Sequence, residues 1–288
     1  MTKIIVPASS ANLGVGFDSI GFAVNLYLEL EILEPSKDWQ IDHDYADKIP
    51  TDASNLVIET ALKVSENLAP HRLKMKTDIP FEHGLGSSSS AIVAGIELAN
   101  ELGQLDLSKD ERLLLACQFE GHPDNVAPAL RGGGVVASYS QGQVTYVDLN
   151  PPHGVALVAY VPDYSVSTKV ARSVLPENYS REEAVLASSR ANVLAAGLAI
   201  EDYEAAFAMI EQDLFHEKYR SSLIPELSQV RALAHEHGAF ATYLSGAGST
   251  IMTLITNDEA AEFAQSLKSV GKGEVLQLKF DYVGTEVV

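Results

Sequence analysis

The sequence predicts an α+β protein, and three features of the chain carry that expectation. Segments alternating apolar and polar residues with period two are interspersed with segments whose apolar residues recur at helical spacing. The two kinds do not alternate regularly, which argues against a doubly wound parallel sheet. The stretch Asn150-Pro151-Pro152 reads as a linker, because two prolines cannot continue a central strand.

The elements follow in order. Met1 to Val6 leads directly into a strand-like run. From Ala23 to Leu33, residues Val24, Leu26, Leu28, Leu30 and Ile32 share one face of a half-buried strand. Between Asn55 and Leu68, residues Val57, Ala61, Val64 and Leu68 fall at helical spacing. Arg72 to Ile79 alternates again, and after a Gly/Ser loop an apolar helix runs from about Ser88 to Leu102. Ser108 with Glu111, and Ser180 with Glu183, have the capping-box pattern; the first opens a helix toward Phe119, the second one containing Arg190. Val135–Ser138 and Val144–Asp148 flank a turn with Gly142 and predict a hairpin. Beyond the linker come a strand at Val155–Val161, several helices, strands at Ala241–Leu244 and Thr250–Thr256, and a helix after Asp258.

The chain's 288 residues, 46% hydrophobic and 20% charged, suffice for one large or two modest packed domains. Its net charge of -19 repels nucleic acid and anionic membranes, so neither is expected as a partner. That charge also means any nucleotide must be held by local backbone donors and a metal ion. The single cysteine, Cys117, excludes a disulfide framework and a thiolate zinc cluster and reads as core. The N-terminus lacks signal-peptide features, and no apolar run approaches the ~18 residues of a membrane span. A cytoplasmic protein is expected.

Three stretches carry chemistry. The central one, Pro80-Phe81-Glu82-His83-Gly84-Leu85-Gly86-Ser87-Ser88-Ser89-Ser90-Ala91, follows a predicted strand and opens a predicted helix. Glycines permit close backbone approach and positive φ, and a helix N-terminus offers unpaired N–H groups to an anion. The serines can donate to phosphate or ligate magnesium. No lysine follows the last glycine, so this is not a Walker A loop, and the spacing does not fit the dinucleotide fingerprint. The bland alternative is a flexible turn that only caps the helix. In Pro7-Ala8-Ser9-Ser10-Ala11-Asn12-Leu13-Gly14-Val15-Gly16-Phe17-Asp18, read as a loop between two strands, Asn12 and Asp18 could bind the amine or hydroxyl of a polar substrate; alternatively they shape a turn and a cap. Leu244-Ser245-Gly246-Ala247-Gly248-Ser249-Thr250 offers backbone donors, or is a plain tight turn.

In this order, the three stretches resemble the motifs of the superfamily of galactokinase, homoserine kinase, mevalonate kinase and phosphomevalonate kinase. The resemblance covers nearly the whole chain. Glu120-Gly121-His122-Pro123-Asp124-Asn125-Val126-Ala127-Pro128, Ser167-Thr168-Lys169 with Arg172, and Tyr219-Arg220 before Ile224-Pro225 make it most similar to the homoserine kinases. The resemblance implies two domains, residues 1–151 like domain 2 of ribosomal protein S5 and 152–288 ferredoxin-like, with the active site between them. It implies ATP as co-substrate, Mg²⁺, and L-homoserine as the acceptor, with O-phospho-L-homoserine feeding threonine synthesis. Residues Pro80 to Ser90 would bind ATP, with Asn55 near the adenine. Ser88 and Glu120 would ligate Mg²⁺. Asn12, Asp18 and His122 would line the amino-acid pocket, with Asp124 facing the hydroxyl as base or orienting group. Asn125 and Thr168 would lie near the γ-phosphate, and Arg172 and Arg220 would grip the carboxylate and the transferring phosphate. A homodimer stays open, as do a mevalonate-, shikimate- or sugar-type acceptor and a noncatalytic binding module. Two departures stand out. Ser89 and Ser90 replace small apolar residues, which is tolerable if they face the helix exterior. Ser249 replaces a usual proline, which would loosen its turn.

Overall fold

The computed structural model describes residues 2–45 and 48–288, so Met1 of the opening strand-like run lies outside it. The first half of the chain builds β1 (Thr2–Ala11), β2 (Ile20–Pro35), β3 (Gln40–Asp42), α1 (Leu56–Val64), β4 (His71–Thr77), α2 (Ser87–Gly103), α3 (Lys109–Glu120), α4 (Pro123–Arg131), β5 (Gly134–Ser140) and β6 (Gln143–Leu149). The second builds β7 (Val155–Pro162), α5 (Thr168–Ser173), α6 (Arg181–Ala199), α7 (Tyr203–Ile210), α8 (Glu217–Arg220), α9 (Leu227–Glu236), β8 (Ala241–Leu244), β9 (Ile251–Thr256), α10 (Ala260–Leu267), β10 (Gly273–Leu278) and β11 (Glu286–Val287). The α+β expectation holds.

Seven strands form the first sheet, in the order β11-β1-β2-β4-β3, with β5 on β2 and β6 on β5. Strand β2 is its spine: Thr2–Ala11 pairs along it, β5 takes its first residues and β4 its second half. The alternation predicted from Ala23 to Leu33 is present, with Val24, Leu28 and Leu30 buried, but these pairings extend the strand at both ends. The segment Pro7–Ala11, read as loop, is strand: after a bulge at Pro7/Ala8 it pairs with Val24 back to Gly21. Helix α1 stops at Val64 rather than Leu68, where the Ser65 N–H bonds back to Ala61 O. Both capping boxes form, at Ser108/Glu111 and Ser180/Glu183. The hairpin forms too, with Gln141 and Gly142 as its turn. Pro151 and Pro152 connect β6 to β7 and are buried.

The second sheet has the order β10-β7-β9-β8, all antiparallel. Numbered by sequence this is 4-1-3-2, the ferredoxin-like arrangement, with the single helix α10 between its last two strands. Its strand β7, Val155 to Pro162, is apolar almost throughout because both faces are covered. Leu157, Ala159 and Val161 join the large core shared with the first sheet. Val158 and Tyr160 face a second core made with Leu227, Val230, Phe263 and Leu267 of α9 and α10. The tail then returns to the first half, where Val287 pairs with Ile4.

One buried charge sits inside this packing. Glu97, on α2, is fully buried, and Arg112 Nη1 of α3 donates to both its carboxylate oxygens at 2.7 Å. Burial pushes the Glu97 pKa up, and Arg112 opposes that shift. Arg112→Leu should therefore lower the free energy of unfolding by about 3–5 kcal/mol, because it leaves a buried carboxylate unpaired. The double variant Glu97→Leu/Arg112→Leu should recover most of the loss. Urea unfolding of both variants checks this; a single variant as stable as wild type would contradict it.

Candidate active site

The three motif stretches meet at the junction of the two sheets. Helix α2 begins at Gly86, which has a φ of 71° and provides no side-chain cap. The first-turn N–H groups of α2 thus face a cleft lined by Gly84, Gly86, Ser87, Ser88 and Ser89. The glycines serve contacts between loops as well as room for a ligand. A Cβ at Gly84 would lie 2.2 Å from Ser245 O, and one at Gly86 2.2 Å from Ser9 Oγ. Ser9 in turn donates to Asn125 Oδ1 at 2.9 Å, which ties β1 to the start of α4 beneath the loop.

The Ser245–Ser249 turn closes the other side. Ser245 Oγ donates to Gly84 O at 2.7 Å, and so it accepts from Ser10 Oγ at 2.8 Å. Ser10 then accepts from Tyr243 OH at 2.8 Å. Gly246 N donates to Ala11 O, and Asn12 Nδ2 donates to Gly246 O. Ser249 does not loosen the turn, as its replacement of proline suggested it would. Its buried hydroxyl donates to Tyr164 O at 2.8 Å and must therefore accept from His83 Nδ1, also at 2.8 Å. A proline could make neither bond. Ser89 and Ser90 are likewise buried and bonded, contrary to an exterior placement: Ser89 donates to Glu120 Oε1, and Ser90 to Gly86 O and Pro7 O.

The cleft encloses about 300 Å³. On one wall Arg172 of α5 makes a two-pronged ion pair with Asp18, at 2.8 and 3.1 Å. Burial lowers the Arg172 pKa, but the Asp18 hydrogen bonds and charge raise it on balance. Arg220, the last residue of α8, is 2% exposed. Its Nε donates to Ala171 O and its Nη1 to Gly246 O. Burial, with Arg172 nearby, pushes its pKa down to about 10. Phe17, quoted within the first motif but given no role there, lies under both guanidinium groups, 5.8 Å from Arg172 and 5.4 Å from Arg220.

The wall beside Asp18 is acidic. His122 caps α4 without a side-chain bond to the helix backbone; instead its Nδ1 contacts the buried Asp124 Oδ1. Asp18, His122 and Asp124 bring ligand atoms within 4.8 Å of one another. Glu120, at the end of α3, has its pKa raised by burial, partly offset by His122 and the Ser89 hydrogen bond. Asn125 and Thr168 also line the cleft, Thr168 exposed at the start of α5. Asn12 lines it with its amide already engaged, accepting from Asp18 N and donating to Gly246 O.

A second cavity of about 650 Å³ opens beside the first, and Glu82, Ser87 and Ser88 line both. Its walls include Leu28, Met75, Phe81 and Ala91, which suit the flat faces of an aromatic base. His83 and Asn55 line it as well. Asn55 is 3% exposed, and its amide caps α1 through Val57 N and donates to Pro50 O. Of the stretch Pro80–Ser90, Pro80, Leu85 and Ser90 line neither cavity; Leu85 is in the core. Backbone donors, two arginines and adjoining carboxylates together fit a polyphosphate beside a zwitterionic alcohol.

The family described as GHMP kinases N terminal domain matches residues 55–133, and GHMP kinases C terminal matches residues 194–273. The homoserine kinase of Lactococcus lactis subsp. cremoris (strain MG1363) is 51% identical over 291 residues, which cover 99% of this chain and 98% of that protein. The homoserine kinase of Streptococcus sanguinis (strain SK36) is 50% identical over 286 residues, covering 99% of both. Among solved structures, the homoserine kinase from Cytophaga hutchinsonii is 29% identical with a TM-score of 0.87, covering 100% of this chain and 97% of that one.

The acidic wall makes a prediction for His122. Burial lowers its pKa, but the Asp124 hydrogen bond and the charges of Asp124, Asp18 and Glu120 raise it overall. A folded-state value above the unfolded one stabilises the protein fully below about pH 6.5, and that contribution is lost as pH climbs through the folded value. In an NMR titration the His122 ring should protonate above the ordinary imidazole range, and Asp124→Asn should bring it down. A titration that Asp124→Asn does not move would break the link between the two groups.

Proposed function

The chain belongs to the GHMP kinase family, and from that premise we propose how its cleft transfers the terminal phosphate of ATP to the side-chain hydroxyl of L-homoserine. The products are ADP and O-phospho-L-homoserine, and the reaction belongs to threonine biosynthesis. The observation that carries the reading is the charge pattern of the cleft. Arg172 and Arg220 share the cleft with Asp18 and its neighbour Asp124, next to the uncapped start of α2. An amino acid bearing a hydroxyl matches that pattern; a neutral alcohol or sugar does not.

Phosphoryl transfer through a loose transition state asks the protein mainly for positioning and charge stabilisation. The N–H groups of Gly86–Ser89 cradle the ATP phosphates, and the adenine occupies the apolar cavity near Asn55 and Phe81. Asp18 and Asn12 receive the substrate ammonium while Arg172 and Arg220 take its carboxylate. Substrate binding thus exchanges the internal Asp18–Arg172 pair for two external ones of the same sign pattern. Asp124 accepts the hydrogen bond of the substrate hydroxyl and aims its oxygen at the γ-phosphorus. With His122 on its Oδ1, Asp124 serves better as an orienting acceptor than as a strong base. Asn125 and Thr168 stand beside the transferring group.

Glu120, a half-buried carboxylate whose pKa burial raises, with the hydroxyls of Ser88 and Ser89 on the same cleft, is the hard oxygen donor set that suits Mg²⁺. Ser88 and Glu120 would hold the ion, which when bound neutralises phosphate charge. Ser89 holds Glu120 in place through the 2.9 Å bond to Oε1.

ADP release with L-homoserine, its methyl ester, mevalonate, shikimate and galactose, each with and without Mg²⁺, tests this assignment. Turnover should be Mg²⁺-dependent and largely confined to L-homoserine. The ester should lose binding on the order of 2–5 kcal/mol, because it offers the arginines no carboxylate. Equal turnover of the ester or of a neutral alcohol would overturn the reading. Glu120→Gln should cut kcat sharply while leaving the melting temperature near wild type; normal turnover would remove Glu120 from the metal site.

A further inference from the structure

Four residues before Arg220, one helical turn away, stands His216, which is completely buried and lines neither cavity. Its Nε2 lies 2.9 Å from Gly14 O, and its Nδ1 lies 3.2 Å from Arg220 Nη1. A carbonyl only accepts, so Nε2 carries the hydrogen. A guanidinium only donates, so Nδ1 must offer its lone pair. The two contacts are compatible with one species alone, the neutral ring protonated on Nε2. The ring also stacks on Phe17, with centroids 5.0 Å apart, and Phe17 supports both arginines of the cleft.

The surroundings hold the ring rigidly. Asp213 Oδ2 accepts from the backbone N–H of His216 at 2.8 Å and of Glu217 at 2.7 Å, which fixes the start of α8. Glu217 then accepts from Leu244 N at 2.7 Å, anchoring α8 to β8. Arg220 has Nε and Nη1 committed to Ala171 O, Gly246 O and His216, and among the described residues Nη2 has no partner. A long side chain with one end of its guanidinium pinned keeps little freedom at the other.

We propose that His216 is a positioning residue for substrate recognition: by accepting from Arg220 Nη1 it locks the guanidinium so that Nη2 faces the substrate carboxylate. The proposal rests on the reading that Arg220 meets that carboxylate. It assigns to His216 a part in affinity for the acceptor, although the residue touches no substrate. Loss of the acceptor atom would let Arg220 turn, and the carboxylate would meet a mobile partner.

Two substitutions separate this role from a merely structural one. In His216→Asn the amide oxygen sits where Nδ1 was, so the bond from Arg220 survives and the bond to Gly14 is lost. In His216→Gln the amide nitrogen reaches toward Gly14 as Nε2 did, and the acceptor for Arg220 is lost. Steady-state kinetics, with thermal melts to confirm folding, should show His216→Gln raising the KM for L-homoserine by about tenfold or more, with the KM for ATP little moved. His216→Asn should keep most of the wild-type affinity. In an Arg220→Leu background, adding His216→Gln should change that KM by less than about twofold, because the two residues act as one unit. The opposite ranking, Asn worse than Gln, would show that His216 acts through Gly14 and overturn the proposal. So would wild-type KM values in both variants, or KM values for both substrates rising together. If Arg220→Leu alone leaves the homoserine KM unchanged, both the role of Arg220 and this proposal fall; if it raises that KM but His216→Gln does not, only this proposal falls.

Discussion

The structure depends on a chain of buried hydroxyls. Tyr243 donates to Ser10, Ser10 to Ser245, and Ser245 to the Gly84 carbonyl, each at 2.7 or 2.8 Å. Its direction is set from one end, because the carbonyl can only accept. All three hydroxyl-bearing residues are buried, so a missing member would leave an unpaired polar group away from water. The chain joins strand β8 of the second sheet to strand β1 of the first and ends on the loop that opens α2. The loop before α2 and the turn that carries Gly246 are thereby tied to each other.

This constraint explains how a protein of net charge -19 can bind two anionic groups side by side. Long-range electrostatics oppose it, so the attraction has to be local and shielded from water. The α2 N-terminus supplies one positive region without a side chain. Arg172 and Arg220 supply another, already partly balanced by Asp18. Their separation from the phosphate loop is set by the Ser245–Ser249 turn, since Gly246 O accepts from Arg220, Gly248 lines the cleft, and Ser249 accepts from His83. Displacement of that turn would disturb Arg220 and His83 together.

Much of the fold could be read from the sequence because its signals are local. The alternation of β2, the two capping boxes and the Gly142 hairpin depend on neighbours along the chain. Of the cleft residues, those in the three motif stretches, such as Asn12, Asp18 and Gly86, stood out locally, whereas Glu120, His122, Asp124, Arg172 and Arg220 were named through the family resemblance. What escaped depends on partners far away in sequence. That Pro7–Ala11 is strand rather than loop follows from its pairing with β2. The buried placement of Ser89 follows from Glu120 on another helix, and the anchoring role of Ser249 from His83 and Tyr164. For His216 there was one local signal, its position one turn before Arg220. Its importance appears only when Gly14 and Phe17 are folded against it.

The most direct test of the central claim is the kinetics of Ser245→Ala, a substitution that removes one hydroxyl from the chain and touches neither substrate. If the hydroxyl chain holds both walls of the cleft, the KM for ATP and the KM for L-homoserine should rise together, by about three- to tenfold for the lost buried hydrogen bond. A change confined to one substrate, or no change in either, would show that the two walls are held independently and would contradict the account.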